Sequence, residues 1–290
     1  MIAEDWQRLR ASDGVVLLDG FHAVKHALRF GAEVLSVVTA DRPAALALAT
    51  TLAPDLAATL GARLVEVDAV TFAWLSGPTA GSTDTSTAGA TAGSDRRPDA
   101  RTGGHRTGGH RTGVAALARR APWSLGQLAS AQRSSPLVFL DDPRHLGNYG
   151  AVVRVAAGLG AAGVVSTGTV DPWHPAVLRG AAGLHFAVPV LRVEAGVDAV
   201  DGPLIAFDAA GVDASAATIP GKAVLAFGSE RHGLSSQVRA RADELLALPM
   251  RPGVASYNLA SAVAMVLYQW LLGAGGRRVP AAAPQHEPQP

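Results

Sequence analysis

From residue 137 to 272 the chain alternates short apolar runs with helix-length segments, and this alternation restricts the fold more than any other feature. Residues 137–141, 163–167, 188–193, 204–208 and 223–228 read as strands. Residues 148–159, 175–182, 235–246 and 256–272 read as helices. Strand–helix units of this length predict a mostly parallel sheet covered by helices on both faces, because each crossover must return over the sheet before the next strand begins.

The first part of the chain reads as a separate, smaller α/β unit. VVLLDG is a strand ending at a Gly turn, and FHAVKHALRF is a helix with Phe21, Val24, Ala27 and Leu28 on one face. VLSVVTA is a second strand, followed by a helix broken near Pro54 and a strand in ARLVEV. Composition then changes. Residues 77–112 are dense in Gly, Ser, Thr and Ala and carry the repeat RTGGHRTGGHRTG, a make-up that buries too little surface to offset backbone entropy. The expected organisation is therefore an N-terminal domain over 1–122 with a disordered insertion at 77–112 and a returning strand at 113–120. A linker at 123–136, a second domain over 137–275 and a disordered tail at 276–290 follow.

Bulk properties exclude several classes. A net charge of +1 rules out a chain that wraps polyanions over its whole surface, so any nucleic-acid contact must come from local patches. The absence of cysteine removes disulfides, thiolate nucleophiles and Cys-ligated zinc together. The charged start lacks a signal core, and the most apolar stretch, 259–273, is too short and too rich in small residues to span a bilayer comfortably. A cytoplasmic protein with no membrane partner is expected.

Two motifs are decoys. Gly158-Leu-Gly160-Ala-Ala-Gly163 fits G-x-G-x-x-G, but a dinucleotide loop follows a strand and opens a helix, whereas these glycines close a helix and precede a strand. Helix capping is the expected role. His105 and His110 lie in a Gly/Arg segment without preorganised geometry or a carboxylate at ligand spacing, so no metal site is expected.

Three turns in the second half carry the chemistry. Each joins a strand end to a helix start, and in parallel α/β sheets ligands collect outside the carboxyl ends of strands. In LDDPRHLGNYGAVVRVA, Asn148 is placed to cap a helix, Gly150 allows close approach, and Arg154 sits in an apolar run where it needs an anion or solvent. In VLAFGSERHGLS, Gly228 suggests backbone pressed against a ligand and Glu230 can accept hydrogen bonds or protons, or simply charge the turn before a helix. In LALPMRPGVASYNLASAVAMVLYQW, Ser256 is a candidate N-cap and Asn258 falls in the first turn.

In this order the three segments resemble the motifs of SpoU-type (SPOUT superfamily, TrmH-like) RNA 2′-O-ribose methyltransferases. NxGxxxR is present as Asn148, Gly150 and Arg154. The Gly-Ser/Ala-Glu element is present as Gly228, Ser229, Glu230 and Gly233, and the Pro-Met…Ser-x-Asn element as Pro249, Met250, Ser256 and Asn258. The first unit, opening with LDGFHAVKHAL, is similar to the small ribosomal-protein-like α/β domain that often precedes this catalytic domain.

The resemblance implies a trefoil knot in the C-terminal domain, homodimerisation with much of the contact from the closing apolar helix, and S-adenosyl-L-methionine as cofactor. It implies ribosomal or transfer RNA as partner. Gly228, Leu248, Met250, Ser256 and Tyr257 are then cofactor-binding, Arg154, Asn148, Glu230 and Asn258 catalytic, and Arg179 and Arg119 substrate-binding. Arginine stays protonated and is a poor base, so Arg154 is expected to bind a substrate phosphate or to stabilise developing alkoxide charge, with Glu230 and Asn258 orienting it or the ribose. The arginines at 96, 97, 101, 106, 111, 119 and 120 could add phosphate contacts. The sequence departs from the family pattern at Tyr257, usually leucine, and at Ala181, usually serine. The alternatives are a non-catalytic RNA-binding protein that keeps the fold, and methylation of a base nitrogen.

Overall fold

The computed structural model describes residues 2–77 and 113–273. The His-bearing repeat, the arginines expected between 96 and 111, and the segment expected as a tail lie outside the described residues. Two sheets organise what is described.

The first sheet has the order β1 (Val15–Asp19), β4 (Val114–Arg119), β2 (Val34–Thr39), β3 (Leu64–Glu66). Strand β4 is the returning strand expected from GVAALARR, and it runs antiparallel to both β1 and β2 at the centre of the sheet. Helices α2 (Phe21–Arg29), α3 (Arg42–Leu52) and α4 (Ala57–Arg63) accompany it, with a 3-10 turn at Pro54–Leu56 breaking the run where Pro54 predicts. Two further helices were not legible: α1 (Ile2–Arg10) and α5 (Ala69–Ser76). They close the opposite face, where Trp6, Phe72 and Leu75 meet Leu117. The Trp6 indole donates to Leu75 O at 3.2 Å, joining the two helices.

The second sheet is parallel throughout, in the order β10 (Glu244–Ala247), β8 (Leu204–Asp213), β9 (Val224–Phe227), β5 (Leu137–Leu140), β6 (Gly163–Ser166), β7 (Val190–Arg192). Alternate residues of β5 feed opposite cores. Val138 and Leu140 pack with α6 (Leu146–Leu159) and α9 (Leu259–Gly273), while Leu137 and Phe139 pack with α8 (Ser236–Arg241). Both faces are thus covered, as the alternation predicts. Gly160 ends α6 in the left-handed conformation at φ 73°, its N–H reaching Ala156 O, which is the capping role expected for that glycine run.

Three local readings are corrected. The helix expected over 235–246 stops at Arg241, and Glu244–Ala247 instead forms edge strand β10 beside β8. Asn148 does not cap α6: the His145 side chain accepts from Asn148 N at 3.1 Å, which releases the Asn148 amide for other contacts. Nor does Ser256 cap the closing helix, which begins at Leu259 with Asn258 Oδ1 accepting from Ala260 N at 2.9 Å.

The two sheets are pinned together. After α7 (Pro175–Gly180) the chain turns through Ala182 and Gly183, both at positive φ (51° and 74°), and wedges against α2. His26 Nδ1 lies 2.7 Å from Ala182 O, and a Cβ on Gly183 would stand 2.8 Å from Ala23 Cα. Trp123 donates its indole N–H to His185 O at 2.9 Å, and Trp173, Leu178 and Phe186 complete the core of the first sheet. The stretch expected as a linker is itself packed. Leu128 is buried, and the Arg133 guanidinium donates to Asp201 O and Lys222 O. Among the described residues, no helix is long and apolar enough to cross a membrane.

Candidate active site

Strands β5, β6 and β7 extend the second sheet to one side, and the chain then crosses to lay β8, β9 and β10 on the other. That reversal leaves a crevice beyond the strand ends, the place where open parallel sheets bind ligands. A cleft of about 490 Å³ lies there, within the range of small-molecule sites.

The β9 end supplies the floor. Phe227 stacks on Phe207 of β8 with ring centroids 5.0 Å apart and 7° between planes. The chain then folds through a tight loop in which Ser229 and Gly233 exchange backbone hydrogen bonds at 3.0 Å. A Cβ on Gly228 would sit 2.1 Å from the Gly233 carbonyl carbon and 2.3 Å from Leu234 N. Gly228 is therefore demanded first by its own loop, and the loop shapes the cleft wall. Leu248 and Met250, after β10, and Leu259 and Ala262, from α9, make the apolar side. Tyr257 also lines the cleft, its hydroxyl donating to Pro249 O at 2.8 Å and so closing the 249–257 loop on itself.

The polar side is a chain of side-chain hydrogen bonds joining all three segments singled out in the sequence. Asn258 Nδ2 donates to Asn148 Oδ1 at 2.9 Å, and Asn148 Nδ2 donates to Glu230 Oε1 at 2.8 Å. Glu230 Oε2 receives only a long contact, 3.5 Å, from Arg144 N, so it keeps lone pairs for another donor. Arg144 is itself held by Asp142 Oδ2, at 2.9 and 2.6 Å from its Nε and Nη2.

Of the residues expected at a site, Asn148, Gly228, Glu230, Leu248, Met250, Ser256, Tyr257 and Asn258 line this one cleft, and Arg154, Arg179 and Arg119 do not. Arg154 is exposed on α6, outside the cleft lining. Arg179 is exposed at the end of α7, and Arg119 pairs with Glu33 at 3.1 Å on the first sheet. Sequence reasoning missed Phe207 and Asp208, which line the cleft, and Arg144 beside Glu230. The signal for Phe207 and Asp208 was available, since both end the strand expected over 204–208.

Fold and site together define a parallel α/β domain with a preformed small-molecule cleft at its topological switch point. Residues 135–268 match the model of the SpoU rRNA Methylase family. Among curated proteins, the chain is 32% identical over 148 residues to a 23S rRNA (adenosine(1067)-2′-O)-methyltransferase of Streptomyces laurentii, covering 47% of this chain and 54% of that protein. It is 29% identical over 145 residues to a 23S rRNA (uridine(2479)-2′-O)-methyltransferase of Streptomyces viridochromogenes, covering 46% and 50%. The chain thus spans about half the length of these curated relatives. Over nearly its whole length it shares the fold of an AdoMet-bound rRNA methyltransferase from Sinorhizobium meliloti (TM-score 0.66, 21% identity, 93% of this chain and 94% of that one). The same holds for a SpoU methyltransferase from Streptomyces viridochromogenes in complex with AdoMet (TM-score 0.67, 20% identity, 94% and 98%).

Proposed function

We propose that this protein transfers a methyl group from S-adenosyl-L-methionine to a ribose 2′-hydroxyl of ribosomal or transfer RNA. The observation that carries the reading is the Asn258–Asn148–Glu230 hydrogen-bond chain, which draws three segments distant in sequence to one wall of a cleft. The curated relatives named for 2′-O-methylation of 23S rRNA support the reaction. The cleft suits the cofactor: Leu248, Met250, Leu259 and Ala262 offer an apolar wall for an adenine ring, and polar groups at Asn148, Glu230 and Ser256 suit ribose and amino-acid ends.

When bound, the cofactor supplies a methyl group already electrophilic on its sulfonium. The protein must therefore align the acceptor hydroxyl and take charge of its proton. Glu230 Oε2 holds the hydroxyl, and Asn148 fixes the carboxylate through its other oxygen. Asn258 fixes Asn148 and caps α9, so helix packing holds the whole relay rigid. Arg154 neutralises charge on the substrate phosphate or the developing alkoxide.

Arg154 lies outside the cleft of its own chain, so this role places it at the cleft of a second copy. A homodimer across α9 provides that arrangement. Met265, Tyr268 and Leu272 form an exposed apolar stripe on this helix, three and four residues apart. The trefoil knot belongs to the same reading, supported by the return of the 249–258 segment from sheet edge β10 to the start of α6 and by the packing of α9 on α6. So do the division into an RNA-binding domain over 1–122, a linker over 123–136 and a methyltransferase domain over 137–275, and a cytoplasmic location.

The test is calorimetry with S-adenosyl-L-methionine, followed by methyl transfer from labelled cofactor to RNA from a deletion strain and mapping by nuclease digestion and mass spectrometry. Binding and a 2′-O-methyl nucleotide are expected. Cofactor binding without transfer to any RNA, or a label on a base nitrogen, overturns the reading.

A further inference from the structure

The 249–257 loop between β10 and α9 has open space on two sides. One side is the cleft. The other is a second cavity of about 400 Å³, and Ala209, Leu248, Met250 and Ala255 line both. Residues 251–257 are exposed, and at the tip a Cβ on Gly253, at φ 89°, would meet nothing within 4 Å. Among the described residues two hydrogen bonds lie within the loop. Val254 N donates to Arg251 O at 3.1 Å, and the Tyr257 hydroxyl donates to Pro249 O at 2.8 Å. The first closes the tip alone. Little packing flanks a loop set between two cavities, so its conformation depends on the second bond.

The two ends of that bond differ. Tyr257 is a fixed post, because it precedes Asn258, which is tied to Asn148 at 2.9 Å and caps α9. Pro249 is the end that needs fixing. It stands between Leu248 and Met250, both on the apolar wall of the cleft. The peptide unit is planar, so the direction of a carbonyl sets the plane it belongs to. The pyrrolidine ring already restricts φ at Pro249, and the hydrogen bond to its carbonyl restricts ψ. Both soft dihedrals of residue 249 are then held, and with them the mutual orientation of Leu248 and Met250. Leucine, the residue that the family pattern carries at 257, has no donor with which to do this.

We propose that Tyr257 is a positioning residue whose hydroxyl latches Pro249 and presets the Leu248–Met250 wall before the cofactor binds. The inference rests on the functional reading above and names a determinant of its cofactor affinity. A part-exposed hydrogen bond contributes modestly, because water competes for both partners. Its loss lowers the fraction of protein with the wall in place, and the apparent affinity falls with that fraction. A weakening of about 3- to 10-fold follows.

The experiment compares wild type with Tyr257→Phe, which removes only the hydroxyl, and Tyr257→Leu, which removes ring and hydroxyl together. Calorimetry with S-adenosyl-L-methionine reads the affinity. Hydrogen exchange followed by mass spectrometry on the cofactor-free proteins reads the loop. In Tyr257→Phe, faster exchange over 250–257 with wild-type exchange in α9 is expected, together with the weakened cofactor binding. Tyr257→Leu should weaken binding at least as much. Wild-type loop exchange or wild-type affinity in Tyr257→Phe overturns the proposal, as does weakening confined to Tyr257→Leu, which assigns the effect to the ring. A wild-type protein that shows no cofactor binding, while Tyr257→Phe loosens the loop, overturns the functional reading and leaves the latch on Pro249 standing.

Discussion

The Asn258 side-chain amide donates to the side-chain carbonyl of Asn148 at 2.9 Å across 110 residues of sequence. Each asparagine uses its remaining group locally, Asn258 to cap α9 and Asn148 to anchor Glu230. One hydrogen bond therefore couples the first turn of one helix to the start of another and to the carboxylate between them. Asn148→Ala should lower methyl transfer by about 10²-fold, the scale for losing one preorganised polar contact at a reacting centre. Initial rates with labelled cofactor would measure the loss.

Gly228→Ala tests the cleft wall. The added methyl would meet backbone atoms of Gly233 and Leu234 at 2.1 and 2.3 Å, and backbone cannot rotate away as a side chain can. The loop must open, at a cost of about 1–3 kcal/mol in stability, and the cleft changes shape with it. A lower melting temperature together with weakened calorimetric binding of S-adenosyl-L-methionine is expected.

Gly150→Ala separates packing from chemistry. Its methyl would lie 2.5 Å from Val177 O and would force α6 away from α7. Destabilisation of about 1–3 kcal/mol is expected, read as a shifted denaturant midpoint.

His185 predicts acid sensitivity. Burial lowers its pKa from 6.5 to about 4. Its Nε2 donates to Pro172 O at 2.8 Å while Nδ1 has no hydrogen-bond partner. The unfolded chain takes up this proton near pH 6.5 and the folded chain resists it until about pH 4. The stabilisation is thus complete above the higher value and is lost as pH falls toward the lower one, by about 3 kcal/mol at most. Denaturant midpoints across that window should fall in wild type and fall less steeply in His185→Gln.

Arg154→Ala should abolish methyl transfer while leaving cofactor affinity nearly intact, because its side chain lies outside the cleft of its own chain. If the cleft it serves belongs to a second copy, mixing Arg154→Ala with Asn148→Ala protein should restore part of the turnover, since one site in each mixed dimer is whole. Rates of the mixture against each variant alone would show it.

The polar residues and glycines of the cleft were legible because each carries a local signature, whereas Leu248, Met250 and Tyr257 entered only through the family resemblance and Phe207 and Asp208 were missed. Gly228 and Gly233 mark a tight loop, Asn148, Glu230 and Asn258 follow strand ends, and fully apolar β5 and β9 announce a sheet buried on both faces. The parallel sheet and the capping role of Gly160 followed from the same periodicity. The helix expected over 235–246 failed because Glu244–Ala247 is a short apolar run, and such a run is strand or helix according to whether a sheet edge is free beside it. The edge of β8 was free.

What the sequence determined by itself is local: the order of strands and helices, and which polar residues stand at their ends. Tertiary structure decided which of those residues meet. Asn148 and Asn258 touch because α9 packs on α6, and α2 meets the Ala182–Gly183 wedge because the chain after α7 returns to the first sheet. Long-range pairing depends on the summed packing of whole elements, and no stretch of chain encodes that sum alone.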